Sequence, residues 1–315
     1  MPERYAPGLH RFAVLTAGAT FVLLFAGALV TSTGSALAVP DWPLAFGQFF
    51  PRMEGGVLFE HGHRLKAAFV GSLTLVLAVW VVLRESRPAV RVLGLLALFT
   101  VVLQGVLGGI TVLYRLPLAV SVAHACLGQV FFCLTVTLAV VTARAWIDPP
   151  TRLTPSMLPT LATVTTGLVG LQLVLGALVR HTGAGLAIPD FPLAFGRVVP
   201  PLATPFITIH FAHRVGAVVV AAGVLTTAWV THRAHVRQRW LLRPALLAVA
   251  LMATQVALGA TIIWTQRAVV STSAHVVVGA ALLACSLVLT LRAHRLIATQ
   301  RRLVTPGLLA HRAVA

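Results

Sequence analysis

Charge is what this chain has least of. Only 10% of its 315 residues are Asp, Glu, Lys or Arg, and the acidic ones number 7. A soluble domain carries about 25% charged residues, so the composition excludes a cytosolic globular enzyme and a disordered chain. Cysteine is nearly as scarce. Cys126, Cys133 and Cys285 all fall inside apolar runs, which excludes a disulfide-stapled secreted module. There is no phosphate-binding loop, no Ser/His/Asp arrangement and no nucleic-acid motif. The stretch Gly105–Gly109 lies too deep in an apolar run to cradle phosphate and suits close helix approach instead. What the chain does have is apolar surface: 58% of the residues are hydrophobic, with a mean hydropathy of +0.93. The net charge of +17 comes from cations between apolar runs, the pattern of membrane topology rather than of nucleic-acid binding.

A membrane-crossing helix takes about 20 residues. The apolar stretches predict eight, over 12–31, 60–83, 92–113, 118–143, 159–179, 206–231, 244–264 and 268–291. The expected fold class is an all-α integral membrane protein. Arg4 and Arg11 before the first stretch and Ala36-Leu37-Ala38 after it imitate a signal peptide. Its apolar region exceeds the roughly 7–15 residues of such a core and has a counterpart at 159–179, so we expect a retained span. With the N-terminus inside, sixteen arginines fall in inner segments and five in outer ones, which predicts cytoplasmic N- and C-termini. Two long loops, 32–59 and 180–205, then face outward, and the hairpins at 114–117 and 265–267 are tight.

The two halves repeat. Pro40-Asp41-Trp42-Pro43-Leu44-Ala45-Phe46-Gly47 returns as Pro189-Asp190-Phe191-Pro192-Leu193-Ala194-Phe195-Gly196, and Gly27-Ala28-Leu29-Val30 as Gly176-Ala177-Leu178-Val179. His63-Arg64 matches His213-Arg214, Gln104 matches Gln255, and His124 matches His275. Four spans per half keep the halves in one orientation, which predicts two parallel, pseudo-symmetric four-helix bundles. The domains expected are 1–148 and 159–315, joined by a proline-rich linker at 149–158. Parallel repeats also occur in transporters.

An ionisable residue inside a span is costly and marks a functional candidate. His63, His124, His213 and His275 all lie near the outer ends of even-numbered spans. Each half contributes one histidine from its second helix and one from its fourth, so the two can face across a bundle core, where cofactors sit. Two opposed neutral imidazoles suit the axial positions of haem iron. Zinc or copper would want three or four ligands in one site. Glu60, one turn before His63, shares its helix face and is a candidate proton acceptor or cation stabiliser, or else an interfacial carboxylate favoured by the helix dipole. His210 stands in its place in the second half. His61 and Lys66 read as boundary residues. Arg64 and Arg214 could meet haem propionates or lipid headgroups, and Gln104 and Gln255 could bond between helices or touch the cofactor.

This pattern resembles haem A synthase over nearly the whole chain. The resemblance rests on Glu60-x-x-His63-Arg64, His124, His213-Arg214, His275 and the Pro-Asp-Trp-Pro element. It implies oxidation of a ring methyl of haem O to a formyl group, giving haem A for terminal oxidase assembly in a bacterial inner membrane. His63 and His124 would hold the substrate haem and Glu60 would be the catalytic carboxylate. His213 and His275 would ligate a haem b that carries electrons away, to an acceptor the sequence does not name. A haem O synthase is an implied partner. Many members carry a cysteine pair flanking the first outer-loop element, where this chain has Val39 and Ala45, and Ile188 and Ala194 in the second loop; a thiol-based step is therefore absent or replaced. If both histidines ligate the substrate iron, either one leaves or water supplies the oxygen, and the second route is favoured. The rival readings are a dihaem b electron carrier without substrate chemistry, which leaves Glu60 unexplained, and a haem transporter.

Overall fold

The computed structural model describes residues 5–149 and 156–312, with side chains as far as Ile297. Eight long helices account for most of it: α1 (Pro7–Ser32), α2 (Gly56–Arg84), α3 (Pro88–Leu113), α4 (Leu118–Val141), α5 (Leu158–His181), α6 (Pro205–His235), α7 (Arg239–Trp264) and α8 (Val269–Arg312). A single helical turn, Arg144–Ile147, follows α4. All eight are long and apolar enough to cross a membrane, the last over Val269–Ile297. The chain is thus an all-helical, multi-pass membrane protein. The linker expected at 149–158 falls largely outside the described residues.

The helices outrun the apolar stretches that announce them. Pro7, Pro88 and Pro205 open α1, α3 and α6, where a missing N–H breaks no helical bond and the fixed φ is already helical. Thr204 caps α6 by accepting from the Ile207 amide at 3.3 Å. The seventh helix begins at Arg239 rather than near 244 because it absorbs Pro244 into its interior. Pro244 has no N–H for the Trp240 carbonyl. Arg292 of α8 supplies the missing donor, its Nη1 reaching Trp240 O at 2.8 Å while its guanidinium lies over the Trp240 ring.

Within each half the helices close a ring. The first packs α1 on α2 and α4, α2 on α3, and α3 on α4; α5–α8 repeat these neighbours. The halves meet through α1 and α4 on one side and α5 and α8 on the other. Large apolar side chains such as Phe69, Leu83, Phe99 and Val218 face outward, as lipid contact requires. Buried threonines face inward and return their hydroxyls to the backbone, Thr20 to Thr16 O at 2.8 Å and Thr74 to Val70 O at 2.8 Å. Two buried apolar clusters, Leu9, Leu77, Val81 and Leu138 in one half and Leu158, Leu241, Leu289 and Leu296 in the other, lie at the end away from the long loops. The loop end is left for the histidines.

The repeated loop motif has a structural basis. Asp41 accepts from the amides of Phe46 at 2.7 Å and Gly47 at 2.8 Å, and Asp190 accepts from Phe195 and Gly196 at 2.7 and 2.8 Å. These bonds hold Phe46 (φ 53°) and Phe195 (φ 55°) in the left-handed region, where an aromatic side chain is strained and the glycine that follows is not. Trp42-Pro43 and Phe191-Pro192 are both cis.

Candidate functional site

The four histidines sit at equivalent depths. Each lies six to eight residues inside the loop end of its helix, which at the helical rise places it about 9–12 Å below that end. A glycine on the preceding helix faces each ring. A Cβ built at Gly27 would stand 3.1 Å from His63 Cε1, at Gly176 3.2 Å from His213 Cε1, at Gly108 3.4 Å from His124 Cε1, and at Gly259 3.6 Å from His275 Cε1. The sequence displays these glycines but not their pairing with the imidazoles.

His213 and His275 face each other with ring centres 6.4 Å apart and planes at 68°. The pair is close enough for the two imidazoles to hold one haem iron between them, which would supply one-electron redox chemistry there. In both halves the donor set is two half-buried imidazoles, and among the described residues no group of three or more His, Cys, Asp or Glu could hold a metal ion. The Nδ1 atoms of His63, His124 and His275 are buried and unpaired; that of His213 is bonded to Gln172 Nε2 at 3.0 Å.

Gln104 and Gln255 brace the fourth helix of each half. Gln104 Nε2 donates to the His124 carbonyl at 3.0 Å and Gln255 Nε2 to the His275 carbonyl at 2.9 Å. Each amide thus bonds the backbone of the very residue whose ring points into the site.

Glu60 and Arg64 form a latch rather than two separate features. Glu60 is 4% exposed, and its Oε1 accepts from Arg64 Nη2 at 2.6 Å while Oε2 accepts from the Val39 amide at 2.8 Å. Arg64 also donates to the carbonyls of Asp41 at 2.7 Å, Leu44 at 3.0 Å and Val39 at 3.3 Å. In the second half Arg214 donates to Asp190, Leu193 and Ile188 carbonyls and to His210 Nε2, and the Ile188 amide approaches His210 Nδ1 at 3.3 Å. Both arginines are turned to loop carbonyls, not to lipid. Val39 and Ile188, near where a cysteine pair stands in many members of the resembled family, are fully buried parts of these latches. His61 adds a bond to the Phe49 carbonyl at 3.0 Å, and Lys66 folds back on the Gly62 carbonyl.

Two further residues carry no repeat signal in the sequence. Arg180, at the end of α5, crosses between halves and donates to the Ala28 carbonyl at 2.8 Å and Ser32 Oγ at 2.9 Å. Gln172 has Leu23 as its counterpart, so periodicity does not mark it.

Comparison with known proteins shows the family. A family model described as cytochrome oxidase assembly protein, COX15-CtaA, matches residues 54–287, which contain all four histidines and Glu60. The chain belongs to this family. Among its relatives, the protein of Symbiobacterium thermophilum named Heme A synthase is 38% identical over 254 residues, covering 76% of this chain and 82% of that one. The Heme A synthases of Shouchella clausii and Halalkalibacterium halodurans are 31% and 30% identical, covering 83% and 82% of this chain and 88% and 89% of theirs.

Proposed function

We propose that the chain is a haem A synthase that oxidises a ring methyl of haem O to a formyl group. The observation that carries this is the inequality of two otherwise matching halves. Each has a histidine pair beneath a loop latched by an arginine, but the carboxylate Glu60 stands in the first latch and the imidazole His210 in the second. In this reading His63 and His124 hold substrate haem O. His213 and His275 hold a resident haem b, which supplies one-electron transfer when bound. Converting a methyl to a formyl group with water as oxygen source releases four electrons and four protons, so a buried base beside the substrate has a use. Glu60, held by Arg64 and the Val39 amide, is the carboxylate that such a base or cation stabiliser requires. The Asp41 and Asp190 turns belong to the loops that Arg64 and Arg214 latch at the histidine end of each half. The loops face outward from the cytoplasm, in keeping with the arginine count.

The test is haem extraction and chromatography from bacterial cells that make haem O and this protein. Haem A is the expected product; haem O alone would reject the proposal. A second reading, a dihaem b electron carrier, draws support from the latch itself, which gives Glu60 a structural use without chemistry. It predicts haem b in both halves and no haem A under the same assay.

A further inference from the structure

Gln172 of α5 stands against His213 and nothing equivalent stands against His63. Its Nε2 donates to the His213 carbonyl at 2.8 Å and lies 3.0 Å from His213 Nδ1, while its Oε1 is buried without a partner. The space comes from a second difference between halves. A Cβ at Gly216 would collide with the Gln172 amide, and the residue matching Gly216 is Lys66. In the first half the matching residue is the apolar Leu23; its carbonyl lies near the His63 ring but outside hydrogen-bond geometry, and His63 Nδ1 stays unpaired. Two departures from the repeat, Gln172 and Gly216, therefore build one contact.

The hydrogen inventory gives this contact a consequence. A neutral imidazole that offers Nε2 to a metal carries its proton on Nδ1 and needs an acceptor there. As the amide stands, it offers that nitrogen a donor. A half-turn of the amide exchanges its ends without changing its shape. It gives up the bond to the His213 carbonyl, and a small further rotation of the side chain moves Oε1 off that carbonyl oxygen, which lies 2.8 Å from the Nε2 it replaces, and onto the Nδ1 proton. An acceptor on Nδ1 fixes the ring orientation and makes the imidazole a stronger electron donor.

We propose that Gln172 is a positioning residue for His213, accepting its Nδ1–H when the second-half haem is bound and setting that haem's potential apart from the first-half centre. This rests on the reading that His213 and His275 ligate a resident haem b. Stronger donation by the ring favours the ferric state and lowers the midpoint potential.

Redox titration and low-temperature EPR of the purified holoprotein test it. Gln172→Met keeps the length and removes the hydrogen bond; its haem b should titrate at a higher potential, and its affinity should fall by about 10–100-fold. Gln172→Glu keeps an acceptor and strengthens it, so its potential should fall below wild type. Leu23→Met, the matching change in the first half, should leave the haem b potential where it was. Loss of haem b from the Met variant alone, with the Glu variant loaded and shifted downward, also supports the proposal. Met and Glu variants that both carry haem b at the wild-type potential with the wild-type EPR spectrum would overturn it. A wild-type haem b content that is indifferent to His213→Ala would instead overturn the ligand assignment beneath it.

Discussion

Glu60 and Arg64 are joined at 2.6 Å across one helical turn, and the same carboxylate accepts from the Val39 amide at 2.8 Å. Among the described residues it is the one buried carboxylate in the spans, tied to the loop directly through Oε2 and by way of Arg64 through Oε1. A residue singled out by its chemistry also holds the architecture together, and an experiment must separate the two.

Exchange with the second half does so. Glu60→His copies the His210 latch, which the fold already accommodates beside an arginine. A purely architectural Glu60 predicts near wild-type haem A in this variant. A catalytic Glu60 predicts a folded protein that keeps haem b and accumulates haem O or a hydroxymethyl form, with the rate reduced about 10²–10⁴-fold. Glu60→Gln should behave in the same way, and Glu60→Asp should keep some activity because a carboxylate survives. Chromatography of extracted haems reads all three.

The two histidine pairs should respond unequally. His213→Ala or His275→Ala should remove haem b, because one ring alone would leave the group a single protein ligand. His63→Ala or His124→Ala should leave haem b in place and stop haem A formation. Pyridine haemochrome spectra of the four variants check this; equal haem b loss in all of them would contradict the division of labour.

The glycine opposite each histidine gives a graded test. Gly176→Ala puts a methyl 3.2 Å from His213 Cε1 and asks the ring to move by a few tenths of an ångström. Gly176→Val cannot be absorbed in that way, and overpacking of this kind costs about 1–3 kcal/mol. Haem b occupancy should fall from wild type to Ala to Val, while the matching changes at Gly27 should spare it and lower haem A.

Arg292 and Pro244 should be energetically coupled. Arg292→Met strands the Trp240 carbonyl at a cost of about 1–3 kcal/mol. Pro244→Ala restores an amide donor within the helix and should make Arg292 partly dispensable. A double-mutant cycle in detergent, followed by thermal unfolding, should show a coupling of about 0.5–3 kcal/mol; simple additivity would sink this account of the helix.

The loop turns carry a pH dependence of known sign. The amide of Gly47, then that of Phe46, holds the Asp41 carboxyl below its ordinary value of 3.8, and Gly196 and Phe195 do the same for Asp190. A depressed folded value means that the stabilisation is complete above that ordinary value. It is lost as the pH falls through the lower, folded one. Cleavage of the loops by an acid-stable protease should therefore rise below pH 3.8, and Asp41→Ala should show the open behaviour at neutral pH in the first loop only.

The sequence by itself determined the membrane class, the eight spans and the duplication, because each is a local or periodic property of the chain. About 20 apolar residues must run together to cross a bilayer, and a histidine in such a run stands out against its surroundings. The four histidines, Glu60 and the paired glutamines were legible for that reason. Partnership was not. Arg64 and Arg214 lie on the same helices as their neighbouring histidines, and only the fold of the loops turns them toward carbonyls more than 20 residues away in sequence. Gln172 reaches His213, Arg180 reaches Ala28 and Arg292 reaches Trp240 because neighbouring helices pack at one rotation and depth. That rotation is set by the summed fit of many small contacts. No residue pattern within a single span encodes it, so the tertiary structure alone decided which donor meets which acceptor.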